Sequence, residues 1–317
     1  MQKENQSKPS IRCILCNSVA CRTLHIKNMH EILRCDQCGF IFAKVSIDET
    51  DKESFVKKLY DKNYFEGNAH WFDKNLGYGK NYFEEKGFDQ TVNANRHLKK
   101  IEKLILSKGR LLDVGCAAGF FLNVARQRGW EVAGLELSAD AAAYAKAHFD
   151  LDISIGSFET ASLPAASFDV ITAWDVIEHL LDPLAFVENA ARLLKNNGLM
   201  VLGTPNIGSL AYKFRKIRWI QLKPPEHVCY YNPETLKRLL KNAFIEVKTQ
   251  AVYPQYSKVK FSFRAYGKRL LYSGFNMLAQ ILNQGEYVIG YAWKRGNSQE
   301  DSRALHRACG SLSGGTK

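Results

Sequence analysis

An apolar segment at residues 111–114 runs directly into a turn of small residues at 115–119 and then into a helical pattern. A buried strand followed by such a turn and a helix opens a βαβ unit, in which the backbone of the turn can lie close to a bound nucleoside. Gly115 and Gly119 remove side chains from the region of contact. Because the spacing differs from the GxGxxG of dinucleotide-binding domains, we predict a nucleoside-bearing ligand other than a dinucleotide.

Strand and helix patterns alternate around this turn. Helical patterns cover 97–106 and 120–128, and two more helices are predicted to begin at Ser138 as an N-cap and at Pro183, the latter ending at Gly198. Strands are predicted at 110–114, 131–135, 153–155, 168–173, 199–203, 245–252 and 287–292, and another helix is capped by Asn232. Such alternation predicts a doubly wound, Rossmann-like α/β fold with a seven-stranded, mostly parallel sheet.

Two carboxylates are predicted at the carboxyl ends of neighbouring strands. Asp113 precedes the glycine turn and can engage a cationic ammonium group. Glu136 ends the next strand, about 20 residues further on, where a carboxylate can accept both ribose hydroxyls. The two side chains are therefore expected to face one ligand.

The motifs LLDVGCAAGFFL, GLELS, FDVITAWDVIEHL and LLKNNGLMVLGTPN follow one another within residues 96–253. In this order they resemble the motifs of class I S-adenosylmethionine-dependent methyltransferases. The resemblance implies that S-adenosyl-L-methionine is the cofactor, with Asp113, Gly115 and Gly119 at its methionine end and Glu136 at its ribose. The alternative is an α/β domain that binds another nucleotide or nothing.

The resemblance leaves the adenine contact less defined. Position 157 often carries an acid in this family, but here it is Ser157, and we expect the neighbouring Phe158 to stack on the adenine instead. The cofactor site that we predict also includes Cys116, Leu137, Trp174 and Asp175.

The segment 174–179, WDVIEH, follows the predicted fourth strand, from which side chains can reach a reacting methyl group. We expect His179 to act as general base, with Glu178 and His227 as further catalytic residues. Alternatively, Asp175, Glu178, His179 and His227 bind a divalent cation. The acid-x-x-Glu-His pattern is similar to that of ubiquinone-pathway O-methyltransferases and small-RNA 2′-O-methyltransferases, where it binds metal, although Asp175 replaces their Glu.

Simpler interpretations of these residues exist. Glu178 and His179 can cap the following helix and pack structurally. His227 belongs to the 224–231 segment, PPEHVCYY, which we expect to cover the carboxyl edge of the sheet as an acceptor loop. A loop histidine without a role is the alternative there.

Two CxxC pairs, Cys13/Cys16 and Cys35/Cys38, flank a stretch with hairpin character. Two such turns can form a closed tetrahedral thiolate site, so we predict a structural Zn²⁺ ribbon over residues 1–45. A redox dithiol is the alternative. Together with the segment at 60–65, the ribbon is similar to the zinc-binding N-terminal module of bacterial methyltransferases that modify sugars in glycan and antibiotic pathways.

The remaining boundaries follow from composition. We predict a helical connector at 46–95, the methyltransferase domain at 96–295 with a helical insert at about 255–285, and a disordered tail at 296–317. Without a signal-peptide pattern or an apolar run of spanning length, the chain is expected to be cytoplasmic.

The formal net charge of +12 and the basic aromatic stretches at 213–219 and 258–264 indicate an anionic partner. Solvated helix faces are the alternative for these stretches. We expect O-methylation of an anionic, nucleotide-linked or lipid-linked sugar, together with peripheral association at the inner membrane surface. Methylation of RNA, which the zinc ribbon and the net charge also support, ranks lower, with nucleic acid the less expected partner, and a non-catalytic zinc-ribbon interaction protein ranks lowest.

Overall fold

The computed structural model describes residues 11–45, 82–253 and 282–296. Some of the sequence-based predictions concern residues outside these ranges: most of the 46–95 connector with its 60–65 segment, the basic stretch at 258–264, most of the 255–285 insert and the tail beyond residue 296. In the described part, no helix is long and apolar enough to cross a membrane.

The N-terminal module contains three strands, β1 (Cys21–Lys27), β2 (His30–Cys35) and β3 (Ile41–Ala43). β1 and β2 pair antiparallel through a two-residue turn. Asn28 and Met29 both have positive φ, 50° and 62°, as a type I′ turn requires. This hairpin between the two cysteine pairs confirms the hairpin expected from the sequence.

The larger part of the chain alternates strands and helices. Its elements are α1 (Tyr82–Ile101), β4 (Arg110–Val114), α2 (Phe120–Gln127), β5 (Glu131–Glu136), α3 (Ala139–Phe149), β6 (Ile153–Ile155), β7 (Phe168–Trp174), α4 (Pro183–Leu193), β8 (Leu194–Pro205), α5 (Leu210–Arg215), β9 (Cys229–Tyr230), α6 (Pro233–Leu240), β10 (Glu246–Val252) and β11 (Tyr287–Trp293). Seven strands form one sheet in the order β10-β11-β8-β7-β4-β5-β6. β11 runs opposite to the other six strands of this sheet, which confirms the predicted doubly wound, Rossmann-like fold.

Both faces of this sheet are buried. Successive strand residues point to opposite faces, and the adjacent Leu111 and Leu112 belong to two different hydrophobic clusters. Val170 and Ile171 divide in the same way. Continuous apolar strands are what a parallel sheet covered on both faces requires, and this explains why the strands were recognisable in the sequence.

Helix starts agree with the sequence better than helix ends do. Ser138 and Asn232 cap α3 and α6 as predicted. α4, however, ends at Leu193, and the predicted end at Gly198 is wrong, because Leu194 already pairs with Phe168 as the first residue of β8. Similarly, α1 begins at Tyr82 and runs across the predicted connector boundary at residue 95.

The ribbon module packs directly on the methyltransferase domain. β3 pairs antiparallel with β9, so the second sheet has the order β1-β2-β3-β9. Phe40, which is fully buried, lies 5.2 Å from the Tyr231 ring, centroid to centroid. One hydrophobic cluster includes Leu33 and Phe42 of the ribbon together with core residues of the large sheet. Residues on both sides of the predicted boundary at residue 45 therefore share one hydrophobic core.

Candidate active site

The glycine turn follows β4 at the carboxyl edge of the sheet. Gly115 and Gly119 have φ of +68° and +75°, a region that side-chain-bearing residues rarely adopt. A Cβ at Gly115 would lie 2.6 Å from Val176 Cγ2, and one at Gly119 would lie 2.9 Å from Leu151 Cδ1. Both positions therefore require glycine. The Gly115 N–H donates to the Leu135 carbonyl at 2.8 Å, which attaches the turn to β5.

The Glu136 side chain connects the turn to the end of the neighbouring strand. Its Oε2 accepts the Ala117 N–H at 2.8 Å, and its Oε1 accepts the N–H groups of Leu137 and Ser138 at 2.8 and 3.0 Å. Burial raises the pKa of Glu136, while these backbone donors act in the opposite direction. The carboxylate is thus fixed by its neighbours at the position where the sequence placed a ribose contact.

Asp113 is buried at the end of β4, 2% exposed, and accepts a hydrogen bond from the Thr172 hydroxyl at 2.6 Å. Burial raises its pKa to about 7, and the nearby Glu136 adds to the effect. A carboxyl group with this pKa ionises readily when a cation is bound beside it. Thr172 was not identified from the sequence, although a single hydroxyl in the apolar β7 is a recognisable signal.

Aromatic rings lie beside the turn. Trp174, at the end of β7, stacks on His97 of α1 with centroids 4.2 Å apart, and Phe121 lies 5.6 Å from the same ring. Burial lowers the pKa of His97 to about 4, so this ring is neutral at pH 7. His97 is a second residue that the sequence did not single out, because only the tertiary fold brings α1 to β7.

The other predicted cofactor residues have different surroundings. Phe158 is 5% exposed and packs on Phe186 with centroids 4.8 Å apart, so its contact with adenine stays a prediction. Cys116 is buried within the turn and Leu137 is half-buried next to Glu136. Asp175 is exposed and has a φ of 55°.

Glu178, His179 and His227 form one cluster at the same edge of the sheet. Their ligand atoms all lie within 4.8 Å of one another. Oε2 of Glu178 accepts the Thr204 hydroxyl at 2.8 Å, whereas its buried Oε1 has no hydrogen-bond partner and lies 4.0 Å from His179 Nε2. Asp175 lies outside this cluster, so the structure brings together three of the four predicted metal ligands.

Backbone carbonyls accept hydrogen bonds from both histidines. His179 Nδ1 lies 2.8 Å from the Glu226 carbonyl, and His227 Nδ1 lies 2.9 Å from the Gln221 carbonyl. A carbonyl can only accept, so each Nδ1 donates, and His227 Nε2 carries the lone pair of its ring. His179 forms a further backbone hydrogen bond with Asp175.

Both rings are neutral at physiological pH. Burial and the Lys223 ammonium lower the pKa of His179 to about 3, and the same two causes lower the pKa of His227 well below its usual range. Lys223 itself forms a buried ion pair with Glu226 at 2.8 Å. Two neutral imidazoles beside an unsatisfied carboxylate oxygen are a donor set suited to a divalent cation.

The capping interpretation of Glu178 and His179 is wrong. The N-cap of α4 is Asp182, whose carboxylate accepts the Ala185 N–H at 3.0 Å. Glu178 instead turns inward to Thr204, the single hydroxyl in the buried second half of β8, which sequence reasoning passed over.

The four predicted zinc ligands also lie together. Cys13 and Cys38 are 3.6 Å apart at their sulfur atoms, as are Cys16 and Cys35. Bonds of about 2.3 Å in a tetrahedron separate sulfur ligands by roughly 3.8 Å, so the arrangement fits one Zn²⁺. Each pair occupies a tight turn followed by a residue of positive φ, Asn17 or Gly39.

The order of the large sheet, its glycine turn and the acids at its strand ends are those of class I S-adenosylmethionine-dependent methyltransferases. The family described as "Methyltransferase domain" matches residues 84–247. This match covers half of the chain, and the protein therefore belongs to that family.

Known relatives agree on the class. The chain is 30% identical over 152 residues to a ubiquinone biosynthesis O-methyltransferase of Rhodopseudomonas palustris strain BisA53, covering 45% of this chain and 60% of the relative. It is 39% identical over 106 residues to the enzyme of the same name from strain HaA2, covering 32% and 42%. The chain thus spans less than two thirds of the length of these relatives.

A solved structure is similar in fold. An S-adenosylmethionine-dependent methyltransferase from Archaeoglobus fulgidus superposes with a TM-score of 0.50 and 22% identity, over 70% of this chain and all of the other. At this identity the likeness supports the fold alone.

Proposed function

We propose that the protein transfers a methyl group from S-adenosylmethionine to a hydroxyl oxygen of its acceptor. The cofactor supplies a methyl group on a positively charged sulfur, which an oxygen nucleophile can attack in line. The observation that carries the proposal is the cluster of Glu178, His179 and His227 at the same sheet edge as the glycine turn. On this proposal Asp113 neutralises the cationic methionine end and Glu136 holds the ribose.

The electrostatics of the cluster favour a metal site over a free base. A histidine with a pKa of about 3 is a weak general base at neutral pH, which speaks against the sequence-based role of His179. The two neutral imidazoles and the unsatisfied Glu178 Oε1, with one ligand atom of each residue within 4.8 Å of the others, instead fit a divalent cation. Such a cation would lower the pKa of an acceptor hydroxyl. Asp175 is not required for this set.

The four-cysteine cluster is proposed to hold a structural Zn²⁺. Its sulfur spacing supports this assignment, and four protein ligands leave no open position for chemistry.

The acceptor that we propose first is an anionic, nucleotide-linked or lipid-linked sugar. Residues 210–225 carry five basic side chains and no acid, and they precede the loop that carries His227. Phe214, Ile217 and Ile220 of this segment are exposed. Exposed apolar groups among cations suit a lipid-linked acceptor and peripheral attachment to an anionic membrane surface.

A quinol-type phenol is the second candidate acceptor. The relatives named above are ubiquinone biosynthesis O-methyltransferases, and the acid-x-x-Glu-His pattern leads into the cluster in this chain. RNA methylation is the lower-ranked enzymatic alternative, and a non-catalytic role ranks lowest, since it does not explain the neutral histidine pair.

Calorimetric titration with S-adenosylhomocysteine, followed by an acceptor screen with and without EDTA, tests the proposal. Binding in the micromolar range, together with methylation of a sugar or a phenol that EDTA abolishes and Mn²⁺ restores, is expected. In Glu178→Gln, Mn²⁺ should no longer restore methylation after EDTA treatment. In Glu188→Gln, on the exposed face of α4, Mn²⁺ should restore it as in wild type. Failure of the wild type to bind the cofactor would end the proposal.

A further inference from the structure

One backbone segment connects the ribbon to the candidate catalytic cluster. The Val228 N–H donates to the Glu178 carbonyl at 2.8 Å, and the Val228 carbonyl accepts the Ala43 N–H at 2.7 Å. Ala43 ends β3, and His227 is the residue immediately before Val228. The ribbon strand is therefore hydrogen-bonded to the chain one residue away from a member of the cluster.

The tip of the ribbon hairpin contacts the same loop at a second point. The Asn28 side-chain amide donates to the Pro224 carbonyl at 2.9 Å, and Lys27 Nζ lies 3.4 Å from the Trp219 carbonyl. Earlier in the chain, His25 Nε2 lies 3.1 Å from the hydroxyl of Tyr212 in α5. The contacts with Trp219 and Pro224 therefore hold the chain on both sides of Gln221 and Lys223.

Apolar packing also connects the ribbon to the region around this loop. A separate hydrophobic cluster joins buried ribbon residues to the loop and is independent of the two clusters of the large sheet. Among the described residues, its buried members are Ile32, Ile41, Ala43, Ile207, Ala211, Tyr212, Trp219, Leu222 and Tyr230. The ribbon thus packs against the segment 207–230, which follows β8 and leads into the loop that carries His227.

We propose that the four-cysteine module positions the acceptor side of the active site, with Asn28 and Ala43 as positioning residues for the loop that carries His227. The inference rests on the proposed function, because it assigns the ribbon a part in the same site. It gives the module an internal role, in contrast to a ribbon that binds nucleic acid or a partner protein. The hydrogen bonds of Asn28 and Ala43 reach this loop and not β4 or β5, although ribbon residues share one hydrophobic cluster with both strands.

Asn28→Asp is the sharpest variant. Aspartate has the same shape and tolerates the left-handed backbone of this turn, but it replaces the amide donor to Pro224 with an acceptor. The matched control is Met29→Asn at the next position of the turn, where the side chain is 97% exposed. Both variants keep all four cysteines.

Hydrogen exchange and histidine ring NMR on the zinc-loaded full chain provide the readout. In Asn28→Asp, the amides of Lys223 and of residues 226–231 should exchange about fivefold faster or more, as expected for loss of one hydrogen bond. The ring signals of His179 and His227 should shift. Exchange at 110–136 and S-adenosylhomocysteine affinity should stay within about twofold of wild type.

Unchanged exchange at 223–231 and unchanged ring signals in Asn28→Asp would overturn the inference, as would an equal response in Met29→Asn. Absence of S-adenosylhomocysteine binding by the wild type would remove the proposed function, but the exchange comparison would still decide whether the ribbon positions the loop.

Discussion

The Glu136 carboxylate accepts the backbone N–H of Ala117 at 2.8 Å, across the gap between the ends of two parallel strands. Ala117 has a φ of 45°, so the glycine turn places a residue in the left-handed region where its N–H faces the next strand. The side chain that is proposed to hold the ribose therefore also fixes the shape of the turn.

Glu136→Gln is expected to weaken S-adenosylhomocysteine binding by at least about tenfold, because an amide can accept with only one of its two terminal atoms, while three backbone donors converge on this group. Calorimetry measures the change. Glu131→Gln, at the exposed start of the same strand, is the control and should bind like wild type. Equal affinities for Glu136→Gln and wild type would exclude the assigned role.

Asp113 predicts a pH dependence of S-adenosylmethionine binding. Its pKa in the folded protein is about 7, so the carboxyl group is mostly protonated at pH 5.5 and mostly ionised at pH 7.5. The ionised form attracts the cationic cofactor, so affinity should rise up to about tenfold across this range. Since the folded pKa is raised, the contribution of this group to stability is fully present below its unfolded pKa and is lost as the pH rises through about 7.

The Thr172 hydroxyl gives the matched test, because its hydrogen bond lowers the pKa of Asp113. Thr172→Val should move the binding profile to higher pH, whereas Thr172→Ser retains a hydroxyl and should leave it in place. Identical profiles for the valine and serine variants would refute this account of the pH dependence.

Phe40→Ala should destabilise the whole protein by about 3–5 kcal/mol, as expected for a fully buried aromatic ring. Because Phe40 packs on Tyr231, unfolding followed by denaturant should remain a single transition with a lower midpoint. Phe214→Ala removes a ring that is 76% exposed and should change stability by no more than about 0.5 kcal/mol. A ribbon that unfolds alone, ahead of an unchanged main transition, would contradict the shared core.

Metal analysis should find about one zinc per chain, held by four thiolates. Burial raises the pKa of Cys13, and it raises that of Cys38 to about 11. Binding therefore displaces protons from these thiols, and acidification should release the metal.

Cys38→Ser should lose the zinc, while Cys116→Ser, at a buried cysteine in the glycine turn, should keep it. Full zinc content in Cys38→Ser would show that the metal, if present, is bound elsewhere.

Local and periodic patterns in the sequence determine many elements of this protein. The apolar strand ahead of Gly115 indicates the βαβ unit, because a strand buried on both faces has a continuous apolar composition. Ser138 and Asn232 mark helix starts, because capping depends on a side chain and a backbone within three residues of each other. Each CxxC pair likewise indicates two thiolates on one turn, because its two cysteines are only three residues apart.

Properties that depend on contacts between distant residues were decided only by the tertiary structure. α4 ends at Leu193 and not at Gly198, because pairing with Phe168 draws Leu194 into a strand. The pKa of Asp113 depends on Thr172 and Glu136 as well as on burial, and the hydrogen bond from Thr204 reaches Glu178, 26 residues earlier in the chain.

The contact between the ribbon and the large domain was also not predictable from local sequence patterns. β9 consists of two residues, Cys229 and Tyr230, which is too short for any periodicity to show in the sequence. Its pairing with β3 merges two apparent domains into one core. The sequence by itself determined the elements and the chemistry of their side chains, while the tertiary structure decided which of them meet, because burial and strand pairing join residues that are far apart along the chain.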